Sequence, residues 1–277
     1  MSKSLADSLL RIDAELVTEA LCRFLCNEIY RAGYSRAVIG LSGGLDSSIV
    51  TLLCVRALGP ENVFVVTMPY KTSSEATLLH SRKIIELTHV QAIDIPITAQ
   101  VDAYFERFPE ASQLRRANKC ARERMSILYD QSAALQALVI GTSNKSEILL
   151  GYGTQFGDLA SAVNPVGDLY KTQLRSLAEY LSVPREIIDK TPTADLWVGQ
   201  TDEDELGFTY AEADRLLVLM VDYHWPRAEL IAAGFAPEFI DRVEYLIRRN
   251  SYKRQMPKIA QLWWLTKRQD FPPRKQS

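Results

Sequence analysis

The stretch from Ala37 to Thr51 reads AVIGLSGGLDSSIVT. An apolar, β-branched run leads into Ser42-Gly43-Gly44-Leu45-Asp46-Ser47-Ser48, and an apolar helical pattern resumes at Ile49, Val50, Leu52 and Leu53. Strand, Gly/Ser turn and helix in that order gather backbone N–H groups and hydroxyls at the positive end of a helix, which makes an anion site. The glycines let the backbone approach the anion without a Cβ in the way. No Gly-Lys-Ser/Thr follows, so this is not a Walker A loop, and it is not a dinucleotide fingerprint either. Asp46 is the odd member. A carboxylate inside a phosphate cradle repels its ligand unless a divalent cation lies between them.

Outward from this turn the chain alternates strands and helices. Strands are expected at Ala37–Leu41, Val63–Met68, Ala92–Ile95 and Ala137–Ile140, and helices at about Leu9–Arg31, Ser47–Leu58, Ser74–Thr88 and Asn118–Ser132. Thr72-Ser73-Ser74-Glu75 reads as a capping box for the third of these helices. The alternation predicts an α/β fold, a doubly wound and mainly parallel sheet with ligands at the carboxyl ends of its strands. The cradle lies at such an end, and so does Gly141-Thr142-Ser143-Asn144. After Gly151 the strand pattern stops. A Gly-rich loop is expected over 151–170, a helix over 171–182, a polar loop over 191–208 and mostly helix over 209–250, with a second capping box at Thr209-Tyr210-Ala211-Glu212 and a frayed tail from Phe271.

The 277 residues suffice for one large domain or two small ones, and 47% hydrophobic with 24% charged residues is the balance of a soluble globular protein. A net charge of −2 gives no electrostatic case for nucleic acid or a membrane as a general partner. No apolar run approaches the ~20 residues of a membrane span, and the polar start MSKSLADS is no signal peptide. Cys22, Cys26, Cys54 and Cys120 form no CxxC pair. Buried free thiols and a cytoplasmic location are the expectation.

SGGLDSS resembles the pyrophosphate loop of the ATP pyrophosphatase superfamily, whose members cleave ATP between the α and β phosphates to adenylate a substrate. Asparagine synthetases share that loop. Further blocks narrow the resemblance to the NAD synthetases over about residues 10–260: NKCARERM (118–125), GTSNKSEILLGY (141–152), NPVGDLYKTQ (164–173), PTADLWVGQTDEDELGFTY (192–210) and YKRQMP (252–257). The resemblance implies an adenine nucleotide alpha hydrolase-like core over about 10–150, with lid loops and a helical part over about 151–262 in a single domain of 1–277. It implies adenylation of nicotinic acid adenine dinucleotide by ATP, then displacement of AMP by ammonia to give NAD, in a cytoplasmic homodimer. The cradle is reached by residue 42, which leaves no room before it for a glutaminase domain. Ammonia is therefore the expected nitrogen source, either free or passed on by a separate glutaminase.

Carried over residue by residue, the resemblance places ATP on Gly40, Leu41, Ser42, Gly43, Gly44, Leu45, Asp46, Ser47, Thr142, Lys171 and Thr193. Asp46 and Glu147 would hold Mg2+ across the phosphates, since a hard divalent ion takes oxygen ligands and few of them from protein. On their residues alone, Glu147 reads equally as a solvated helix position near Lys145, and Thr142 and Thr193 as turn caps. Lys171 stands near the start of a helix, where the dipole does not favour a cation, and so calls for an anionic partner. Arg122 and Arg124 lie two apart and face different ways. The resemblance favours Arg122 for the dinucleotide and leaves Arg124 for a structural ion pair.

On its residues alone Asp158 reads equally as an ordinary Gly-Asp turn; the resemblance matches it to an aspartate beside the ammonia position, and with Asp46 and Lys171 it completes the expected catalytic set. Asp202-Glu203-Asp204-Glu205 reads as a second metal site or, as acidic runs usually are, a solvated loop, and the match gives Glu205 a substrate-facing role. The basic stripe Arg248, Arg249, Lys253, Arg254 and Lys258 reads as a helix end or, through the YKR match, as a phosphate contact. Gly151-Tyr152-Gly153-Thr154-Gln155-Phe156-Gly157 is one residue too long for a dinucleotide fingerprint and suits a lid. Three positions depart from the family: Gln155 where lysine is common, Ala162 where an aspartate is common, and Tyr252 of the Tyr252-Lys253 pair where histidine is common. All three belong to the dinucleotide side, so the acceptor is the less defined half of the site. The rivals are another amide-forming ligase, a transfer-RNA sulfur-transfer enzyme, for which paired cysteines and basic charge are missing, and a regulatory module that holds ATP without turnover.

Overall fold

β1 (Ala37–Gly40) is apolar throughout because both of its faces are covered. Val38 packs on one side with Phe64, Val66, Ile97 and Leu128, while Ala37 and Ile39 pack on the other with Leu25, Ile49, Leu53 and Leu174. The computed structural model describes residues 2–193, 197, 199–260 and 262. In it β1 pairs in parallel with β2 (Val63–Thr67) on one side and with β4 (Leu138–Ile140) on the other, and β2 pairs with β3 (Gln91–Asp94) at the edge. The order β3-β2-β1-β4 puts a topological switch beside β1, so the crevice opens at its carboxyl end. The doubly wound parallel sheet expected from the sequence is present.

The helices follow in chain order: α1 (Ser2–Leu9), α2 (Ala14–Arg31), α3 (Leu45–Leu58), α4 (Glu75–Thr88), α5 (Thr98–Phe105), α6 (Gln113–Leu135), α7 (Lys145–Leu150), α8 (Lys171–Tyr180), α9 (Arg185–Ile188), α10 (Asp202–Leu206), α11 (Tyr210–Leu217), α12 (Arg227–Ala232) and α13 (Pro237–Arg249). α2, α3 and α8 cover one face of the sheet and α5 and α6 the other. Among the described residues no helix is long and apolar enough to cross a membrane. The four cysteines are free; Cys54 and Cys120 are buried, Cys22 and Cys26 half-buried.

Several expectations need correction. The helix expected over 9–31 is broken at Leu10–Asp13, because Asp13 leaves the helical conformation and its side chain accepts the N–H of Leu16 to cap α2. The cap of α4 is Ser74, which accepts the N–H of Thr77, and not Thr72. The expected polar loop over 191–208 contains α10, capped by Thr201. The box at Thr209 and Glu212 is formed as read. The strand pattern does not end outright at Gly151, since Val163 adds a parallel bridge to Ile140. The tail from Phe271 lies outside the described residues.

A second core, built by α11 and α13 with α1, absorbs Leu216, Leu217, Val218 and Leu219, with Leu246 and Ile247 packed against it. These apolar faces are internal, so they are not available as an intersubunit surface. α1 belongs to this layer although it lies about two hundred residues away in sequence. Ala6 is fully buried in it, and Asp7 pairs with Arg215 at 2.6 Å.

Candidate active site

The chain leaves β1 at Gly40 and enters α3 at Leu45, with Gly44 as a cap that has no side chain to offer the first helical N–H groups. Hydroxyls knit the turn from within. Ser42 and Ser47 Oγ atoms lie 3.1 Å apart, Ser42 Oγ accepts the Gly44 N–H at 3.3 Å, and Ser48 Oγ donates to the Gly44 carbonyl at 2.8 Å. Gly43 has φ +73°, and a Cβ there would sit 2.2 Å from the Thr77 carbonyl oxygen of α4. The turn is thus pressed against α4, while its other side opens on a cavity of about 920 Å3 at the carboxyl end of the sheet.

Asp46 and Ser47 on the first turn of α3 face this cavity, as do Glu147 of α7 and Lys171 of α8. Lys171 Nζ lies 2.7 Å from Asp46 Oδ2 and 3.4 Å from Glu147 Oε1, and all three side chains are at most 15% exposed. Burial acts to lower the Lys171 pKa, but Asp46 and Glu147 outweigh it and hold the ammonium above its ordinary range. Burial pushes the Glu147 carboxyl well up, against the pull of Lys171, and the neighbouring Asp46 adds to the rise. The anionic partner that the position of Lys171 called for is therefore found inside the chain. Lys145, read as the neighbour of Glu147, pairs instead with Asp168 and Asp222.

Mg2+ is the ion that the resemblance implies, and the donor set fits it. Asp46 Oδ1 is buried with no hydrogen-bond partner, beside a second carboxyl made of hard oxygen donors. Among the described residues no group of three or more His, Cys, Asp or Glu converges for a metal. The protein would supply two ligands and nucleotide phosphates the rest, which is the habit of this ion.

Of the other expected positions, Gly40, Leu41, Ser42, Gly44, Leu45, Thr142, Asp158, Thr193, Glu205, Tyr252 and Lys253 line the cavity. Gly43, Arg122, Gln155 and Ala162 do not. Arg122 is exposed and donates from Nε to the Gln155 carbonyl at 3.2 Å, whereas Arg124 stands in the wall and donates to the Met68 carbonyl at 3.0 Å. Ala162 is exposed and uses its N–H on Val139 at 3.1 Å. Asp158 accepts the Thr154 N–H at 2.9 Å within its turn, and packing around it raises its pKa although it opens on the cavity. Lys253 reaches the carbonyls of Gly151 and Gly153 at 2.7 and 2.9 Å, and Arg254 reaches those of Ile148 and Leu149. This half of the basic stripe grips backbone instead of ending a helix in solvent.

Sequence reasoning missed three wall-forming or supporting residues. Asn144 donates to Asp46 Oδ2 at 3.1 Å while capping α7 in a box with Glu147, a pattern visible in sequence as Asn-x-x-Glu. Asp202, the head of the supposedly solvated acidic run, is 5% exposed and takes the Tyr152 hydroxyl at 3.0 Å. Lys190 lines the cavity and reaches Thr77 Oγ1 at 2.6 Å; nothing in its local sequence marks it. In the same acidic run, Glu205 accepts from Gln200 at 2.6 Å.

A family model described as NAD synthase matches residues 17–257. The NH(3)-dependent NAD(+) synthetase of Trichlorobacter lovleyi is 52% identical over 264 residues, 95% of this chain and 97% of that protein. Among solved structures, the NH3-dependent NAD synthetase from Campylobacter jejuni is similar with a TM-score of 0.76 and 35% identity, over 91% of this chain and all of that one. The NMN synthetase from Francisella tularensis is similar with a TM-score of 0.81 and 29% identity, over 90% of this chain and 99% of that one.

Proposed function

The chain belongs to the NAD synthase family, and from that membership we propose that it amidates nicotinic acid adenine dinucleotide to NAD, consuming ATP and ammonia and releasing AMP and pyrophosphate. The observation that carries this reading is the cluster of Asp46, Glu147 and Lys171 at the mouth of an uncapped helix beside the sheet's switch point. In the first half-reaction a nicotinate carboxylate oxygen bonds to the α-phosphorus of ATP and the bond to the bridging oxygen breaks, so pyrophosphate carries away the electron pair. The first N–H groups of α3, the Ser42 and Ser47 hydroxyls and the Lys171 ammonium meet that developing charge. Mg2+, held by Asp46 and Glu147 when bound, supplies Lewis-acid neutralisation of the phosphates. In the second half-reaction ammonia attacks the activated carbonyl, AMP leaves, and Asp158 at the cavity wall accepts a proton of the ammonium.

Gly40 to Ser47, Thr142 and Thr193 form the ATP side of this proposal, and Glu205, Tyr252 and Lys253 the dinucleotide side. Arg122, Gln155 and Ala162 lie outside the cavity wall and would reach the dinucleotide only at its outer end. Gln155→Lys is accordingly expected to change the KM for the deamidated dinucleotide severalfold and to leave kcat within about twofold, the pattern of altered uniform binding. Steady-state kinetics at saturating ATP checks this. A fall in kcat without a change in KM would put residue 155 at the reacting centre.

Pyrophosphate release by the purified chain tests the function, with nicotinic acid adenine dinucleotide, nicotinic acid mononucleotide and aspartate as acceptors and ammonium or glutamine as nitrogen donor. The mononucleotide is included because of the likeness to the Francisella enzyme. The dinucleotide with ammonium is expected to give the highest kcat/KM, and glutamine less than about a hundredth of the ammonium rate. Equal turnover with aspartate would return the chain to the wider group of amide-forming ligases. A cytoplasmic homodimer completes the proposal. Since the apolar faces after residue 209 are internal, its contact surface is sought among exposed Leu114 and Tyr252, which line the cavity, and exposed Phe156, and light scattering reads its mass.

A further inference from the structure

One buried carboxylate takes no part in the chemistry above. Asp214, on α11, is fully buried. Its Oδ1 accepts the Ser146 hydroxyl at 2.5 Å, and its Oδ2 accepts the backbone N–H of Thr172 at 2.9 Å. The Ser146 oxygen in turn accepts the backbone N–H of Lys171 at 3.0 Å. One carboxylate thus takes up, directly or through one hydroxyl, the first two N–H groups of α8, and it ties them to the second residue of α7.

The residues on either side of these bonds are the ones the cluster needs. Glu147 follows Ser146 on α7, and Lys171 opens α8. The residues that face each other here are polar and buried, Ser146 at 0% and Lys171 at 9% exposed, and the Lys145 N–H adds a bond to the Leu169 carbonyl at 2.8 Å. A negative group at the N-terminus of α8 is favoured by the free N–H groups there. Yet the site lies in an apolar layer with Ala213, Leu216 and Leu217. Burial raises the carboxyl's pKa, and the Ser146 and Thr172 bonds oppose that rise. An apolar residue at 214 would leave the Thr172 N–H and the Ser146 hydroxyl without their acceptor.

We propose that Asp214 is a positioning residue: through Ser146 and the Lys171–Thr172 peptide it fixes α7 against α8 and so holds the Lys171 ammonium and the Glu147 carboxyl around Asp46. The proposal rests on the reading of that cluster as the pyrophosphate pole. Its chemical content is alignment. A shift of about an ångström at the reacting centre can cost about a hundredfold in rate, and Asp214 is the one side chain that bonds to both helix starts at this contact.

A double-mutant cycle tests it. Asp214→Asn keeps the shape but leaves the Ser146 hydroxyl proton without its charged acceptor. Made alone and with Lys171→Gln, it is read by kcat for pyrophosphate release, KM for the acceptor, ATP–magnesium affinity by calorimetry, and Tm. Asp214→Asn is expected to lower kcat about tenfold or more, to leave the KM for the dinucleotide within about twofold, and to cost less than about twofold in the Lys171→Gln background. If turnover of the double variant is too slow to follow, the calorimetric affinities give the same coupling. An equal loss in both backgrounds, or no loss in either, overturns the proposal and leaves Asp214 a stabiliser of the helical layer. If Asp214→Asn does not fold, Ser146→Ala breaks the same link at one hydroxyl and carries the same cycle with the same two outcomes. Normal turnover of Lys171→Gln by itself would instead sink the reading of the pole, a result distinct from failure of the Asp214 link.

Discussion

Asp46→Asn is expected to slow pyrophosphate release by about a hundredfold or more, on the order of 3 kcal/mol of lost transition-state stabilisation, while ATP still binds. The substitution keeps the side chain's size, so the Lys171 and Asn144 contacts to Oδ2 can persist in altered form. What it removes is the charge, and with it the donor strength of Oδ1, the one buried oxygen of the cluster without a partner. Uniform binding of the nucleotide, through loop N–H groups and hydroxyls, does not depend on that charge. The measurement is pyrophosphate release at saturating ATP, magnesium and acceptor, beside an equilibrium titration of ATP. Near-normal turnover in Asp46→Asn would remove Asp46 from the catalytic centre.

Gly43→Ala is expected to destabilise the folded protein by roughly 2–5 kcal/mol and to abolish productive ATP binding. A left-handed φ costs a residue with a Cβ about 1–2 kcal/mol. The new methyl would also fall 2.2 Å from the Thr77 carbonyl oxygen and 2.9 Å from Ser81 Oγ, an overpacking cost of about 1–3 kcal/mol. Backbone of α4 is on the other side of that contact, so relief must come from moving the cradle. Thermal unfolding should show a Tm lower by roughly 10 °C. Gly44→Ala is the control, because a Cβ there meets only Ser42 Oγ at 3.4 Å and φ is an ordinary −88°. Equal melting of the two variants would mean that α4 does not shape the turn.

The cradle was legible because everything that makes it is local: strand, glycines, hydroxyls and helix start lie within fifteen consecutive residues. Glu147 and Lys171 became legible only through resemblance. Lys171 meets Asp46 across 125 positions and Glu147 across 24, and no local pattern encodes such a meeting. What stays hidden in the sequence has the same root. Arg122 and Arg124 are equivalent in composition, and only the orientation of α6 turns Arg124 into the wall. The run from Asp202 looks solvated until the hydroxyls of Tyr152 and Tyr210 arrive from elsewhere. The apolar residues after 209 find part of their cover in α1, from the far end of the chain. The break at Leu10–Asp13 was hidden because apolar periodicity runs through it, and only the capping behaviour of Asp13 reveals it.

The grip of Lys253 and Arg254 on the backbone of residues 148–153 has a consequence in time. Gly151 and Gly153 wall the cavity but belong to a stretch with little regular structure of its own, and the ammonium that holds their carbonyls is made a hundred residues later. During synthesis the strand, turn and helix of the cradle emerge early, whereas α8, which covers one face of the sheet, emerges later. The pocket is finished last, when the turn at Ser251–Arg254 leaves the ribosome. A nascent or clipped chain ending before that turn would lack the two side chains that fasten the backbone of 148–153, so this part of the wall depends on a segment made about a hundred residues after it.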